Sequence, residues 1–317
     1  IAYRGSHIRK FKKKSYHIAF YKPQIYRGAK EIHLNAEFKD PAVIRNKLSF
    51  DFFNEIGVLS PRSQHIFLSI NGRNEGIYLE LESVDECFLK KRSLPEGAIF
   101  YAVDGDANFS LMSDLDKEVK RSLDLGYEMK WGNEQDIFYL QEMILKLNTT
   151  PRAEFEKEIQ KYFHVEQYLY WLSGIVCTQN YDGFVHNYAL YLNRETGLFE
   201  IIPWDYDATW GRDINGKEMS EDYVRIQGYN TLTARLLDVP SFRKKYQLIL
   251  QEILEEKYTV ANLQPKVEQL YKQIKPYVQK DPYIRDRQML FENEPELILR
   301  FIEKRGNYIR NHLQVLD

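Results

Sequence analysis

One β-hairpin interrupts a long helical stretch, and this constrains the fold more than any other feature. Segments 134–148, 151–162 and 165–178 carry apolar residues three and four apart, the spacing of one helix face. Residues 187–193 and 198–205 then read as strands around Arg194-Glu195-Thr196-Gly197, and helices resume through most of 231–315. If Leu192 pairs near Leu198 or Phe199, antiparallel geometry puts Asn187 opposite Pro203 or Trp204, so Asn187 and Asp205 stand side by side. Asp182 lies just before the first strand. The loop Asp182-Gly183-Phe184-Val185-His186-Asn187 and the end Trp204-Asp205-Tyr206-Asp207 therefore converge on one mouth.

Ahead of this helical half the text is mixed. Tyr16, Ile18 and Phe20 share a strand face that follows an Arg4-Gly5-Ser6 turn and a basic run. Asp40 before Pro41 reads as an N-cap pair, Ile44, Leu48, Phe52 and Ile56 recur every fourth residue, and Gly57 is the stop. Strands follow at 64–70 and 76–83 around Asn71-Gly72. Residues 84–133 hold a short helix near 84–90, a strand near 98–103 and polar text without period from 104, read as an insertion or long loop. The expectation is an α+β chain of two lobes: a small sheet-plus-helix N-lobe (1–83), a connecting segment with insertion (84–133), and a mainly helical C-lobe (134–317). A chain of 317 residues also exceeds what one core usually fills.

No apolar run approaches the roughly 20 residues of a membrane-spanning helix, and a net charge of -2 gives no global pull toward nucleic acid or membrane. Cys87 and Cys177 sit apart in apolar surroundings and read as buried thiols. Charge is nonetheless uneven: residues 1–30 hold nine Lys or Arg and no Asp or Glu, a place for something anionic.

Two or three hard oxygen ligands at one point describe a magnesium site, because this ion takes one or two carboxylates and completes its shell with phosphate oxygens and water. Asn187 and Asp205 are the favoured ligands, with Asp207 beside them. The interval from Asp182 to Asn187 equals that of the protein-kinase catalytic loop, whose Asp accepts the substrate hydroxyl's proton and whose Asn binds metal. Asp-Gly and Asn also cap ordinary turns, and the Asp205/Asp207 pair also suits a solvated loop or a calcium-type site. Ile201, Ile202, Pro203, Trp204 and Trp210 argue for burial, where carboxylates need partners. His186 reads as structural. Phosphates need backbone N–H groups at a glycine turn and a cation from a strand. Arg4, Gly5, Ser6, Lys13 and Lys14 supply those types, with Lys13 and Lys14 on opposite faces by parity. Glu80 and Glu82 occupy the segment joining the lobes, where a hinge binds adenine through its backbone, so Glu82 joins the nucleotide-binding candidates.

These residues together resemble the CotH family, the spore coat protein H type of atypical kinases. The resemblance rests on R-G-S with K-K-S-Y at 4–16, D-P-A-V-I-R-N-K-L at 40–48, G-I-Y-L-E-L-E-S-V-D at 76–85, and D-G-F-V-H-N with I-P-W-D-Y-D-A-T-W-G at 182–211. It implies an atypical two-lobed protein-kinase-like fold and an ATP- and Mg2+-dependent kinase that phosphorylates serines of spore coat proteins during sporulation. It further implies location in the spore coat, assembled in the mother cell cytoplasm. Asp182 is similar to the family's catalytic aspartate, Asp205 to its metal-binding aspartate, and Asn187 fits the second ligand. This chain has no G-x-G-x-x-G, carries Asn180-Tyr181-Asp182 where H-R-D is usual, and has D-Y-D for D-F-G. The other reading is a coat scaffold or surface adhesin that keeps the fold without turnover; a small-molecule phosphotransferase would share the same metal site.

Overall fold

Alternation at the start of the chain becomes an antiparallel sheet. The computed structural model describes residues 1–5, 10–22 and 24–317. Its first sheet contains β1 (Ala2–Arg4), β2 (Ser15–Ala19), β3 (Glu31–Asn35), β4 (Ser63–Ile70) and β5 (Arg73–Glu82), in the order β1-β2-β3-β5-β4. Asn71 and Gly72 both take positive φ (49° and 78°), the geometry that a two-residue hairpin turn requires. Pairing of Arg4 with Ser15, His17 with His33 and Asn35 with Leu79 puts Arg4, His33 and Asn35 on one sheet face. That face meets the second lobe, where His33 packs edge-on against Trp204.

Helix α1 (Arg45–Glu55) lies in the chain between β3 and β4. It begins later than the Asp40-Pro41 pair predicts, because Val43 adopts a left-handed φ of 59° and no helix passes through it. Asp40 instead caps the irregular turn, its two oxygens accepting the N–H groups of Ala42 and Arg45 at 2.8 Å each. Phe52 and Phe53 of α1 are buried, which contributes about 1.5–3 kcal/mol each.

The second sheet has the order β7-β6-β8-β9, from β6 (Gly97–Ala102), β7 (Tyr127–Trp131), β8 (Tyr188–Asn193) and β9 (Leu198–Pro203). The stretch 104–133 therefore ends in a strand rather than a loop. Its earlier part is ordered by side chains: Asp106 accepts from Asp114 N (2.7 Å) and Ser113 Oγ (3.1 Å), and the buried Lys120 ammonium donates to Asn108 Oδ1 (2.8 Å). The remaining helices are α2 (Glu86–Lys91), α3 (Asp136–Thr149), α4 (Arg152–Ile159), α5 (Val165–Thr178), which packs on β9, α6 (Thr231–Leu237), α7 (Pro240–Glu252), α8 (Val260–Val278), which packs on β5, and α9 (Gln288–His312). No helix among the described residues is long and apolar enough to cross a membrane.

Among the contacts that join the first sheet and α1 to the helical half, two stand out. At Gly174 of α5 an added Cβ would fall 2.4 Å from the Phe53 ring, so only glycine admits α1 this closely. On the other side, the segment between α8 and α9 crosses back to the first sheet. Asp281 there accepts from Ile77 N (2.8 Å) and Lys13 Nζ (2.9 Å), and Tyr283 reaches Glu75 (3.0 Å).

Candidate active site

Helix α5 ends at Gln179, whose left-handed φ of 60° turns the chain, and Asn180 Oδ1 accepts the Gly183 N–H at 3.1 Å. A single 3-10 turn, Asp182–Phe184, follows, with Val185 and His186 both donating to the Asp182 carbonyl. The turn fixes Asp182 at the mouth of the hairpin. In the hairpin Leu192 pairs with Phe199 and Tyr188 with Pro203, and Trp204 N donates to Asn187 O at 3.0 Å. Asn187 and Asp205 are thus neighbours across the hairpin's open end. Both take left-handed φ (62° and 60°), uncommon for non-glycine residues and concentrated at functional positions.

Helix α1 holds the segment that carries Asp205 and Asp207. Asn46 accepts the Tyr206 N–H at 3.0 Å and donates to Glu37 at 3.1 Å; Ser49 receives the Trp210 indole N–H at 2.9 Å. Tyr206 packs its ring edge-on against Phe53, 5.0 Å between centroids. Asp207 is thereby set among acids. Burial first, then Asp205, Asp40 and Asp182, push its carboxyl up to about 8. Asp182 is raised in the same direction by burial, against the pull of His186 and with a push from Asp205. Glu37 is raised well above the carboxylate range by burial and by Asp207, and its Oε2 is buried with no hydrogen-bond partner among the described residues.

The cation facing this acidic mouth is Arg4. It bonds Asn35 on β3, and its guanidinium lies 5.4 Å over the Trp204 ring. Burial lowers its pKa, and Asp205 is the charge that opposes this most. Gly5 follows with a φ of 75°, while Ser6 lies outside the described residues. Of the remaining nucleotide candidates, Lys13 and Glu82 are engaged with other partners. Lys13 is wholly buried over the Tyr78 ring (4.7 Å) and bound to Asp281 and the Ile77 carbonyl. Lys14 is half-buried just ahead of β2. Glu82 pairs with Arg92 at 2.7 Å and accepts the Arg62 N–H, fastening α2 to the start of β4. Sequence reasoning missed Glu37, Asn46 and Arg45; the signal was available, since Arg45-Asn46 breaks the apolar face of α1.

Among the described residues no group of three or more His, Cys, Asp or Glu is placed to hold a metal ion. Asn187, Asp205 and Asp207 supply two carboxylates and an amide, the set Mg2+ uses when phosphate and water complete its shell. Burial first and then neighbouring carboxylates raise the Asp207 carboxyl, and a buried Glu37 oxygen has no hydrogen-bond partner among the described residues, both of which a divalent ion would relieve.

Comparisons with known proteins place the chain in a family. The family described as CotH kinase protein matches residues 1–309. The chain is 61% identical over 316 residues to inner spore coat protein H of Bacillus subtilis (strain 168), covering 100% of this chain and 87% of that one. It is 30% identical over 301 residues to the inner spore coat protein H-like protein of the same organism (95% and 86%). Identity to spore coat protein homolog 1 of Rhizopus delemar is 23% over 269 residues (78% and 42%). Among solved structures, the Helicobacter pylori proinflammatory kinase CtkA aligns with a TM-score of 0.36 at 10% identity, over 94% of this chain and 95% of that one. The HipA complex of Shewanella oneidensis MR-1 aligns at 0.39 and 12%, over 94% and 66%. A family matched along nearly the whole length and a relative that covers all of it settle the assignment: this chain, an α+β protein with two antiparallel sheets, belongs to the CotH kinase protein family.

Proposed function

We propose that the chain is an atypical serine/threonine protein kinase of the spore coat, transferring the γ-phosphate of ATP to serines of coat proteins assembled in the mother cell cytoplasm. The observation that carries this reading is the meeting of Asp182, Asn187, Asp205 and Asp207 at one mouth, faced by Arg4. In it, residues 1–83 act as the nucleotide lobe, 84–133 as the connection, and 134–317 as the lobe carrying the catalytic loop.

Asp182 is the group for the acceptor. Held by its turn and raised in pKa, its carboxylate orients a serine hydroxyl and takes the proton as the oxygen attacks. Arg4 reaches the phosphates from β1, pinned by Asn35, and offsets charge on the transferring oxygens. Asn187 and Asp205, with Asp207 behind them, would hold Mg2+, which when bound neutralises the phosphate oxygens. Most of the rate then comes from positioning.

Phosphate transfer from labelled ATP to the chain itself and to serine-containing coat peptides tests this, with Asp182→Ala and Asp205→Ala as controls of unchanged melting temperature. Loss of transfer in both supports the kinase. Absence of transfer by wild type across Mg2+ and Mn2+ overturns it in favour of a coat scaffold.

A further inference from the structure

Helix α9 carries a wholly buried carboxylate, Glu294, far in sequence from the mouth. It meets two arginines from separate segments. Its Oε2 lies 2.7 Å from Arg45 Nη2 at the start of α1, an ion-pair contact, and its Oε1 accepts from Arg212 Nη2, just past Asp207. Arg45 also gives Nη1 to Asp40 (2.5 Å) and Nε to the Thr209 carbonyl (3.0 Å), and Arg212 gives Nη1 to the Gly216 carbonyl (3.1 Å). Asp40, Arg45, Arg212 and Glu294 form a buried quartet, at whose edge Arg212 also lies 3.9 Å from the exposed Glu218.

Buried ion clusters of this kind are often matched or bettered in stability by apolar residues of equal size, so stability alone is a weak reason for one. What the quartet touches supplies another. The segment from Asp205 to Arg212 is held at its start by Asn46 through Tyr206 N, in its middle by Arg45 through Thr209 O, and at its end by Arg212. Asn46 and Arg45 are adjacent on α1, and Arg45 and Arg212 share one acceptor. Glu294 is therefore the common acceptor through which the middle and the far end of the segment are held, next to Asn46 at its start.

We infer that Glu294 is a positioning residue for Asp205 and Asp207: α9 fixes α1 and the proposed metal-binding segment in one arrangement through a buried ionic tie. The inference rests on the kinase reading for its catalytic consequence, and its structural part is testable without turnover. Glu294→Gln keeps shape and removes the charge that joins the two arginines. At a temperature well below melting, the variant is expected to need about tenfold more Mn2+ for half-saturation, read by electron paramagnetic resonance in the presence of ATP. Its kcat is expected to fall about 10- to 100-fold, the scale of a misplaced reacting group, with KM for ATP changed far less. A lower melting temperature with Mn2+ binding and kcat unchanged overturns the inference, because a purely structural role predicts that result. If Glu294→Gln does not fold, Arg212→Lys, which keeps the charge and loses the fork, carries the same test with the same two outcomes. A wild type that binds Mn2+ with ATP yet transfers no phosphate sinks the kinase reading, while the shift in Mn2+ binding between wild type and variant still decides the positioning role.

Discussion

Substituting Lys13 with Met separates two roles that a basic residue near a nucleotide lobe can have. The Lys13 ammonium is wholly buried, 2.9 Å from Asp281 Oδ2 and bonded to the Ile77 carbonyl. Asp281 also accepts from Ile77 N and Tyr283 N at 2.8 Å each. Methionine fills a similar volume, so the main loss is the charge partner of a carboxylate that stays buried. Breaking such a pair costs about 3–5 kcal/mol. Unfolding entropy of about 2.1 cal/mol/K per residue gives about 0.67 kcal/mol/K for a chain of 317 residues. The expected fall in Tm is therefore about 4–8 °C by differential scanning calorimetry. Because Lys13 lies over Tyr78 rather than at the acidic mouth, KM for ATP at 20 °C should stay within about threefold of wild type, under 1 kcal/mol. An unchanged Tm with a KM raised tenfold or more would refute the reasoning and make Lys13 a phosphate ligand.

Asp207, with its carboxyl raised from 3.8 to about 8, binds a proton in the folded chain that the unfolded chain has released across that window, so it lowers stability progressively as pH rises from 3.8 to about 8. Without metal, the Tm of Asp207→Asn minus that of wild type should therefore grow between pH 5 and pH 8; a difference that shrinks contradicts the burial argument. Mg2+ with ATP at about 100 times Kd should stabilise wild type by about 2.7 kcal/mol, or about 4 °C, and Asp205→Ala not at all, as followed by thermal shift. Gly76→Ala places a Cβ 2.1 Å from Asp281 Oδ2 at a φ of +90°, and should cost on the order of 3 kcal/mol or more in urea unfolding; an unchanged midpoint would mean the Asp281 segment moves aside freely.

What could be read from the sequence follows from how far apart the interacting residues are. The hairpin register was legible, since its turn sets Leu192 beside Phe199 and carries Asn187 to Trp204. The identity of the facing cation was not: Arg4, Lys13 and Lys14 are alike in type, and Lys13 is removed from the mouth by an aspartate 268 residues away. The tie through Glu294 has no local signature either, because its partners lie in α1 and beyond Asp207. Yet each long-range contact leaves one trace at its receiving end. Arg45, Asn46 and Ser49 are buried polar residues on a helix whose other buried positions are apolar, and a buried polar group without a partner costs about 1–3 kcal/mol. Such a face must be matched by polar groups from elsewhere, and here each of the three side chains reaches the segment that carries Asp205 and Asp207. Polar interruptions of an apolar face thus indicate, from sequence alone, which helix positions the chemistry, even where they cannot say what it positions.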